Sequence, residues 1–268
     1  MIRPHDPTAA QDLLAWLNQT HTILTFLNLP ASPTMRLLII NPNTTKTMTD
    51  KVAVAAQRVA STGTEIIAKT SNHGPISIEG YYDEALSLAG LLQQIRDNPD
   101  HDGVVIACFD DTGLDAARCL TDRPVVGIGE AGYRMAAMLS NRFSVVTTLS
   151  RSVPALEHNL LRYGLQRQCV SVRASDVPVL ELEHGKPEAM ARIESEIKKA
   201  IEIDHAEAIV LGCAGMTDLA EGFARKYQLP VLDGVACAVA LTESMARVGL
   251  RTSRLGGYAP PPPNKLTI

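Results

Sequence analysis

Two stretches of the chain follow one plan. Asp102-Gly103-Val104-Val105-Ile106-Ala107-Cys108 and Ala206-Glu207-Ala208-Ile209-Val210-Leu211-Gly212-Cys213 both run through apolar residues to a cysteine. After each cysteine come a small turn, a helical pattern and a proline-led strand. Pro124 lies 16 residues beyond Cys108, and Pro230 lies 17 beyond Cys213. The match extends upstream, with 67 residues from Asn41 to Cys108 and 66 from Thr147 to Cys213. Self-similarity at a period of about 105 residues, the spacing of the two cysteines, implies two lobes of one architecture.

The rest of the pattern agrees. Short apolar runs at 37–40, 65–68, 104–107 and 125–128 read as strands, with helical spacing over 44–60, 83–95 and 114–120 between them. In the second half, strands are expected at 143–146, 209–211 and 230–232, and helices at 153–163, 186–203, 219–227 and 235–245. Strand–helix alternation of this kind predicts an α/β fold, with each lobe a parallel sheet flanked by helices. Open parallel sheets bind ligands beyond the carboxyl ends of their strands. Two facing lobes would therefore share one cleft, and each would bring a cysteine to it.

Composition narrows the function. A net charge of −4 without a basic run argues against nucleic acid or an anionic membrane as partner. No apolar run reaches the roughly 18 residues of a transmembrane helix. With aromatic residues at 4% the core must be aliphatic. The first 34 residues precede a strand-like restart at Met35. Asn18, Gln19 and His21 interrupt their apolar stretch, so they read as an appendage or over-long start rather than a targeting segment. The five cysteines form no C-x-x-C pair, which implies free thiols in a reducing cytoplasm. His73, His101, His158, His184 and His205 lack metal-ligand spacing and read as surface or helix residues; no metal is expected.

A thiol at a parallel strand end lies beside the N-terminus of the next helix, where the dipole and free N–H groups favour the thiolate. One of Cys108 and Cys213 as thiolate can take a proton from a carbon next to a carbonyl. The other, as thiol, can return one on the opposite face, which inverts the centre without a cofactor. Cys119, Cys169 and Cys237 read as small buried hydrophobes. Asn41-Pro42-Asn43-Thr44-Thr45 ends the first strand and can serve as a turn and helix cap, as a set of donors lining the cleft, or as both. Thr147 and Thr148 hold the equivalent place. Asp110 and Asp111, next to Cys108, would oppose its ionisation; they can accept N–H groups of a ligand or cap the helix beginning near Leu114. Small residues Gly212, Ala214 and Gly215, with Met216, let a ligand approach backbone N–H groups. Glu79, in the loop at 74–80, has a loop reading and a site reading.

These residues resemble a known family, the aspartate/glutamate/hydantoin racemase superfamily and specifically its hydantoin and allantoin racemase branch. The resemblance rests on Leu-Leu-Ile-Ile-Asn-Pro-Asn-Thr-Thr at 37–45, Gly-Pro-Ile-Ser-Ile-Glu-Gly at 74–80 and Ala-Cys-Phe-Asp-Asp-Thr-Gly-Leu at 107–114. It also rests on Val-Val-Thr-Thr-Leu at 145–149, Leu-Gly-Cys-Ala-Gly-Met at 211–216 and Gly-Tyr-Ala-Pro-Pro at 257–261. It implies a pseudo-symmetric two-lobe fold whose C-terminal helix returns to the first lobe. Residues 35–133 and 235–268 would form the first lobe and 134–234 the second. It implies that Cys108 and Cys213 are the acid and base. Asn41, Asn43, Asp110, Thr112, Thr147, Thr148 and the backbone of Gly212, Ala214, Gly215 and Met216 would contact a five-membered cyclic ureide, either allantoin or a 5-monosubstituted hydantoin. A homo-oligomer is implied as well. Amino-acid racemases of the superfamily carry Asn-Thr and Thr-His after the two cysteines, where this chain has Phe109-Asp110 and Ala214-Gly215. A cis–trans isomerase of a small diacid using a nucleophilic cysteine, and a non-catalytic two-lobed binding protein, are the other readings.

Overall fold

In the computed structural model the described residues are 35–262, apart from the side chains of Glu183 and His184. The readings made above for residues 1–34, for 263–268 as part of the first lobe and for the His184 side chain lie outside them. The first half runs β1 (Met35–Asn41), α1 (Lys46–Val59), β2 (Thr64–Thr70), α2 (Tyr81–Asp97), β3 (Gly103–Ile106), α3 (Leu114–Leu120), β4 (Val125–Gly127) and α4 (Ile128–Leu139). The second runs β5 (Phe143–Thr147), α5 (Val153–Tyr163), β6 (Cys169–Ala174), α6 (Pro187–Glu202), β7 (Ala208–Gly212), α7 (Ala220–Tyr227), β8 (Val231–Asp233) and α8 (Gly234–Arg247).

Each half forms one four-stranded parallel sheet. The orders, β2-β1-β3-β4 and β6-β5-β7-β8, are the same permutation. Alternation along a strand sends successive side chains to opposite faces. Leu37 and Ile39 join a core drawn from both sheets, whereas Leu38 and Ile40 pack outward with Leu91 and Ile95 of α2. Val210 of β7 points into the shared core, and Ile209 and Leu211 pack outward with Ile193 and Ile197 of α6. Burial on both faces explains why these strands read as unbroken apolar runs.

Two helices exchange places between the sheets. α4 continues from β4 yet packs against β7 and β8 of the other sheet. α8 continues from β8 and packs on β1, β3 and β4 of the first, while α4 and α8 pack on each other. A boundary at 133/134 therefore runs through the middle of a helix. Neither α4 nor β6 is visible in the sequence pattern. β6 is an edge strand, partly exposed along its length, and contains Ser171 and Arg173, so it carries no apolar run. α4 follows β4 without a loop, and Gly129 and Gly132 sit in its first turns, where glycine argues against a helix. His101 also departs from expectation. It is buried, with Nδ1 2.7 Å from the Asn98 carbonyl and Nε2 3.2 Å from Thr121 Oγ1, and burial pushes its pKa down. Among the described residues, no helix is long and apolar enough to cross a membrane.

Three aromatics, Phe109, Tyr133 and Phe143, meet in the shared core. Tyr133 of α4 lies edge-on to Phe109, centroids 5.2 Å apart, and stacks on Phe143 at 6.3 Å. Its hydroxyl is buried and has no partner among the described residues. A buried unsatisfied donor costs about 1–3 kcal/mol. Tyr133→Phe should therefore keep the fold and raise the unfolding midpoint in denaturant by the equivalent of about 1 kcal/mol. A clear loss of stability would mean that this hydroxyl has a partner after all.

Candidate active site

The two cysteines follow equivalent strands. β3 ends at Ile106, and the chain stays in register for one more residue, Ala107 N–H donating to the Ile40 carbonyl at 2.8 Å, before Cys108 turns away. Cys213 directly follows β7 and begins a short 3-10 turn, Ala214–Met216. Both thiols line one small cavity. Gly212 borders it as well. A Cβ there would lie 2.9 Å from Thr147 Cβ and 3.1 Å from its Cα, so any side chain would force β5 and β7 apart beside Cys213.

The loop carrying Cys108 is held by Asp111, which is buried and in the left-handed region at φ 54°. Its carboxylate does cap a helix, but not the one starting at Leu114, which has Gly113 at its N-cap and no side-chain cap. The oxygens of Asp111 instead accept from Gly129 N–H at 2.9 Å and Glu130 N–H at 2.7 Å, the first turn of α4. Tyr163 of α5 adds a third donor at 2.7 Å. The approach requires glycine: a Cβ at position 129 would sit 2.2 Å from the Phe109 carbonyl oxygen. Burial pushes the pKa of Asp111 up to about 7 against the pull of these donors.

The other expected residues divide into two groups. Asn43, Asp110, Thr147, Thr148 and Ala214 line the cavity with the cysteines and Gly212. The remainder stand behind them. Asn41 is buried, and its Nδ2 is within 2.8 Å of Asn43 Oδ1, 3.0 Å of Thr49 Oγ1 and 3.1 Å of the Thr45 carbonyl, so it orients Asn43 instead of facing the cavity. Thr112 donates its hydroxyl to Cys108 Sγ at 3.4 Å. Gly215 N–H donates to Cys213 Sγ at 3.4 Å. Met216 is buried in the outer core of the second sheet.

Further residues contribute. Met48 of α1, Ile78, Ala107, Phe109, Ser152 and Val179 complete the lining, and of these Met48, Ser152 and Val179 carry no sequence signal. Lys51 of α1 donates to the Gly215 carbonyl at 2.7 Å and pairs with Asp218 at 3.0 Å, tying the first lobe to the turn after Cys213. Glu79 accepts from Val179 N–H at 3.1 Å, which joins the loop after β2 to the segment before α6. Glu84 Oε1 and Asp110 Oδ2 are buried without a hydrogen-bond partner among the described residues. The three other cysteines lie elsewhere, Cys119 on α3, Cys169 on β6 and Cys237 buried in α8, and all five are free. Among the described residues, no group of three or more His, Cys, Asp or Glu gathers in metal-binding geometry.

Helix termini do not dominate the thiols, contrary to the expectation for strand ends. Burial pushes both up. Cys108 is raised well above an ordinary thiol, first by burial and then by the Asp110 carboxyl, with the Thr112 hydroxyl and Asp110 N–H opposing. Cys213 is raised by burial to about 11, with the Gly215 N–H and the Lys51 ammonium opposing. α3 begins six residues past Cys108, too far for its dipole to act strongly. At neutral pH both are thiols, and Cys213 is the more readily ionised. Carboxymethylation followed against pH should place the Cys213 midpoint near 11 and that of Cys108 higher; Cys108 reacting at the lower pH would reverse the assignment.

The Asp/Glu/hydantoin racemase family model matches residues 37–242. A hydantoin racemase of Rhizobium meliloti is 44% identical over 229 residues, spanning 85% of this chain and 95% of that one. The solved allantoin racemase of Klebsiella pneumoniae shares 44% identity with a TM-score of 0.83, covering 85% of this chain and 94% of that one. The allantoin racemase structure from Pseudomonas fluorescens superposes with a TM-score of 0.83 at 41% identity, covering 85% and 98%. With a cysteine from each of two like sheets meeting in one cavity, and with matches over most of its length, the chain belongs to the Asp/Glu/hydantoin racemase family.

Proposed function

We propose that this protein is a cofactor-independent racemase of a five-membered cyclic ureide, allantoin or a 5-monosubstituted hydantoin, in which Cys108 and Cys213 move the proton. The observation that carries this reading is the delivery of one thiol from each of two equivalent strand ends into a single small cavity. The relatives that are named hydantoin and allantoin racemases support the substrate class.

The stereocentre of such a ring lies next to a carbonyl, so loss of its proton leaves an enolate. Cys213, the less raised thiol, takes the first proton as thiolate. Cys108 holds its proton and delivers it to the opposite face. The two then stand in exchanged protonation states, ready for the mirror-image substrate. The enolate oxygen needs donors placed in advance, which contribute most where water is excluded. Asn43, whose Nδ2 otherwise contacts only Met48 Sδ at 3.5 Å among the described residues, and the hydroxyl of Thr148 border the cavity in positions to serve. Thr147 donates its own hydroxyl proton to the Gly212 carbonyl at 2.9 Å, so toward a ligand it acts as an acceptor.

Loss of optical rotation of a single enantiomer of allantoin, and separately of a 5-alkyl hydantoin, tests this against an enzyme-free blank. Positioned acid–base groups contribute about 10²–10⁴-fold. Cys108→Ser and Cys213→Ser should each reduce the rate by at least about 10²-fold. Near-normal rates in either variant would remove the two-thiol mechanism. A folded protein inactive on both ureides, but alkylated on one cysteine by an unsaturated diacid, would favour the covalent isomerase reading.

A further inference from the structure

The turns that carry the two thiols are built alike. Asp111 N–H donates to the Cys108 carbonyl and Met216 N–H to the Cys213 carbonyl, both at 3.0 Å. Leu114 N–H then donates to the Asp111 carbonyl at 3.1 Å, and Leu219 N–H to the Met216 carbonyl at 3.0 Å. In each turn the carbonyl two residues past the cysteine is taken by a side chain from the other half of the chain. Lys51 Nζ of α1 donates to the Gly215 carbonyl at 2.7 Å, and Asn159 Nδ2 of α5 donates to the Asp110 carbonyl at 2.8 Å. α1 follows β1 and α5 follows β5, strands that hold the same place in the two sheet orders. Lys51 and Asn159 stand 108 residues apart, close to the 105 between the cysteines. The pseudo-symmetry thus repeats one contact, with an ammonium on one side and a neutral amide on the other. We propose that Lys51 and Asn159 are paired positioning residues, each fixing the thiol-bearing turn of the other half, and that the ammonium of Lys51 supports negative charge on Cys213 where Asn159 offers Cys108 no such charge.

The route from Lys51 to Cys213 is short. Gly215 supplies both ends of it: its carbonyl accepts from Lys51, and its N–H donates to Cys213 Sγ at 3.4 Å. These two contacts and the dimensions of one residue hold the ammonium within about 10 Å of the sulfur. At that range, and at an effective dielectric constant of about 20, one elementary charge moves a pKa by about one unit. Asp218, paired with Lys51 at 3.0 Å, offsets part of this. The other ionisable groups that face Cys213 are acids. Asp110 faces it from the loop after β3 and Glu79 from the loop after β2, with the Cys108 thiol lining the same cavity. Lys51 is the cation that opposes them. On the Cys108 side the donors are uncharged, the Thr112 hydroxyl at 3.4 Å and the Asp110 N–H. The bearing on racemisation rests on the two-thiol reading, but the test reads the thiols themselves and stands without turnover.

Alkylation by iodoacetamide at about pH 8.5, resolved by residue in a mass spectrometer, follows each thiolate fraction, because the thiolate is the nucleophile. The reagent is neutral, so Lys51 does not attract it. Lys51→Met should slow alkylation of Cys213 by about threefold or more and leave Cys108 nearly unchanged. Lys51→Arg, which keeps the charge and the donor, should restore most of the rate. Asn159→Lys brings a charge to the Asp110 carbonyl and should speed Cys108 by about threefold. An unchanged Cys213 rate in Lys51→Met overturns the proposal. So does faster alkylation of both thiols, which would mean that Lys51 only holds the two halves closed over the cavity. A Cys108 rate unmoved by Asn159→Lys would show that the two contacts are not equivalent and would end the pairing. Racemase inactivity with the expected rates intact would count against the proposed function and leave the pairing standing.

Discussion

The packing of α4 and α8 between the two sheets fixes where the thiols stand. Each helix begins at the end of one sheet and buries its apolar side against the other, so neither lobe has a complete core without its partner. Phe109, Tyr133 and Phe143 fill the middle, and Phe109 sits one residue past Cys108. The position of Cys108 is therefore tied directly to the inter-sheet core. Asp111 completes the tie by capping α4 and accepting from Tyr163 of α5. Lys51 and Glu79 add links on the Cys213 side. A two-base inversion needs its acid and base held on opposite sides of a ring to within a fraction of an ångström, and a close-packed interior supplies that rigidity better than a loop.

Much of this was legible in the chain because it is local. The strands buried on both faces announced themselves as apolar runs. The matched spacing to Cys108 and Cys213 reflected two copies of one strand order. What stayed hidden depends on contacts that no periodicity records. The helix capped by Asp111 lies 18 residues beyond it in the sequence, where the residues around Leu114 offered a nearer and incorrect partner. Asn41 was rightly placed at a strand end, yet its amide is consumed by its own turn. β6 was missed because an exposed edge strand is built from mixed residues.

The thiols illustrate a tension common to buried acid–base sites. Burial excludes water and strengthens electrostatic interactions in the cavity, and the same burial resists forming a thiolate there. The local devices are modest: one N–H and one ammonium near Cys213, one hydroxyl and one N–H near Cys108. The asymmetry between the thiols makes Cys213 the more readily ionised of the two.

The central claim is that two different groups act on the two faces of one carbon. Racemisation of a single enantiomer in deuterated water, stopped within the first few per cent of turnover, tests it most directly, with an enzyme-free blank to subtract exchange in solvent. Two bases predict deuterium at the stereocentre of the inverted product and almost none in the recovered substrate, because the base that removes the proton is not the one that returns it. Deuterium appearing at equal rates in recovered substrate and product would mean that one group serves both faces, and would contradict the account.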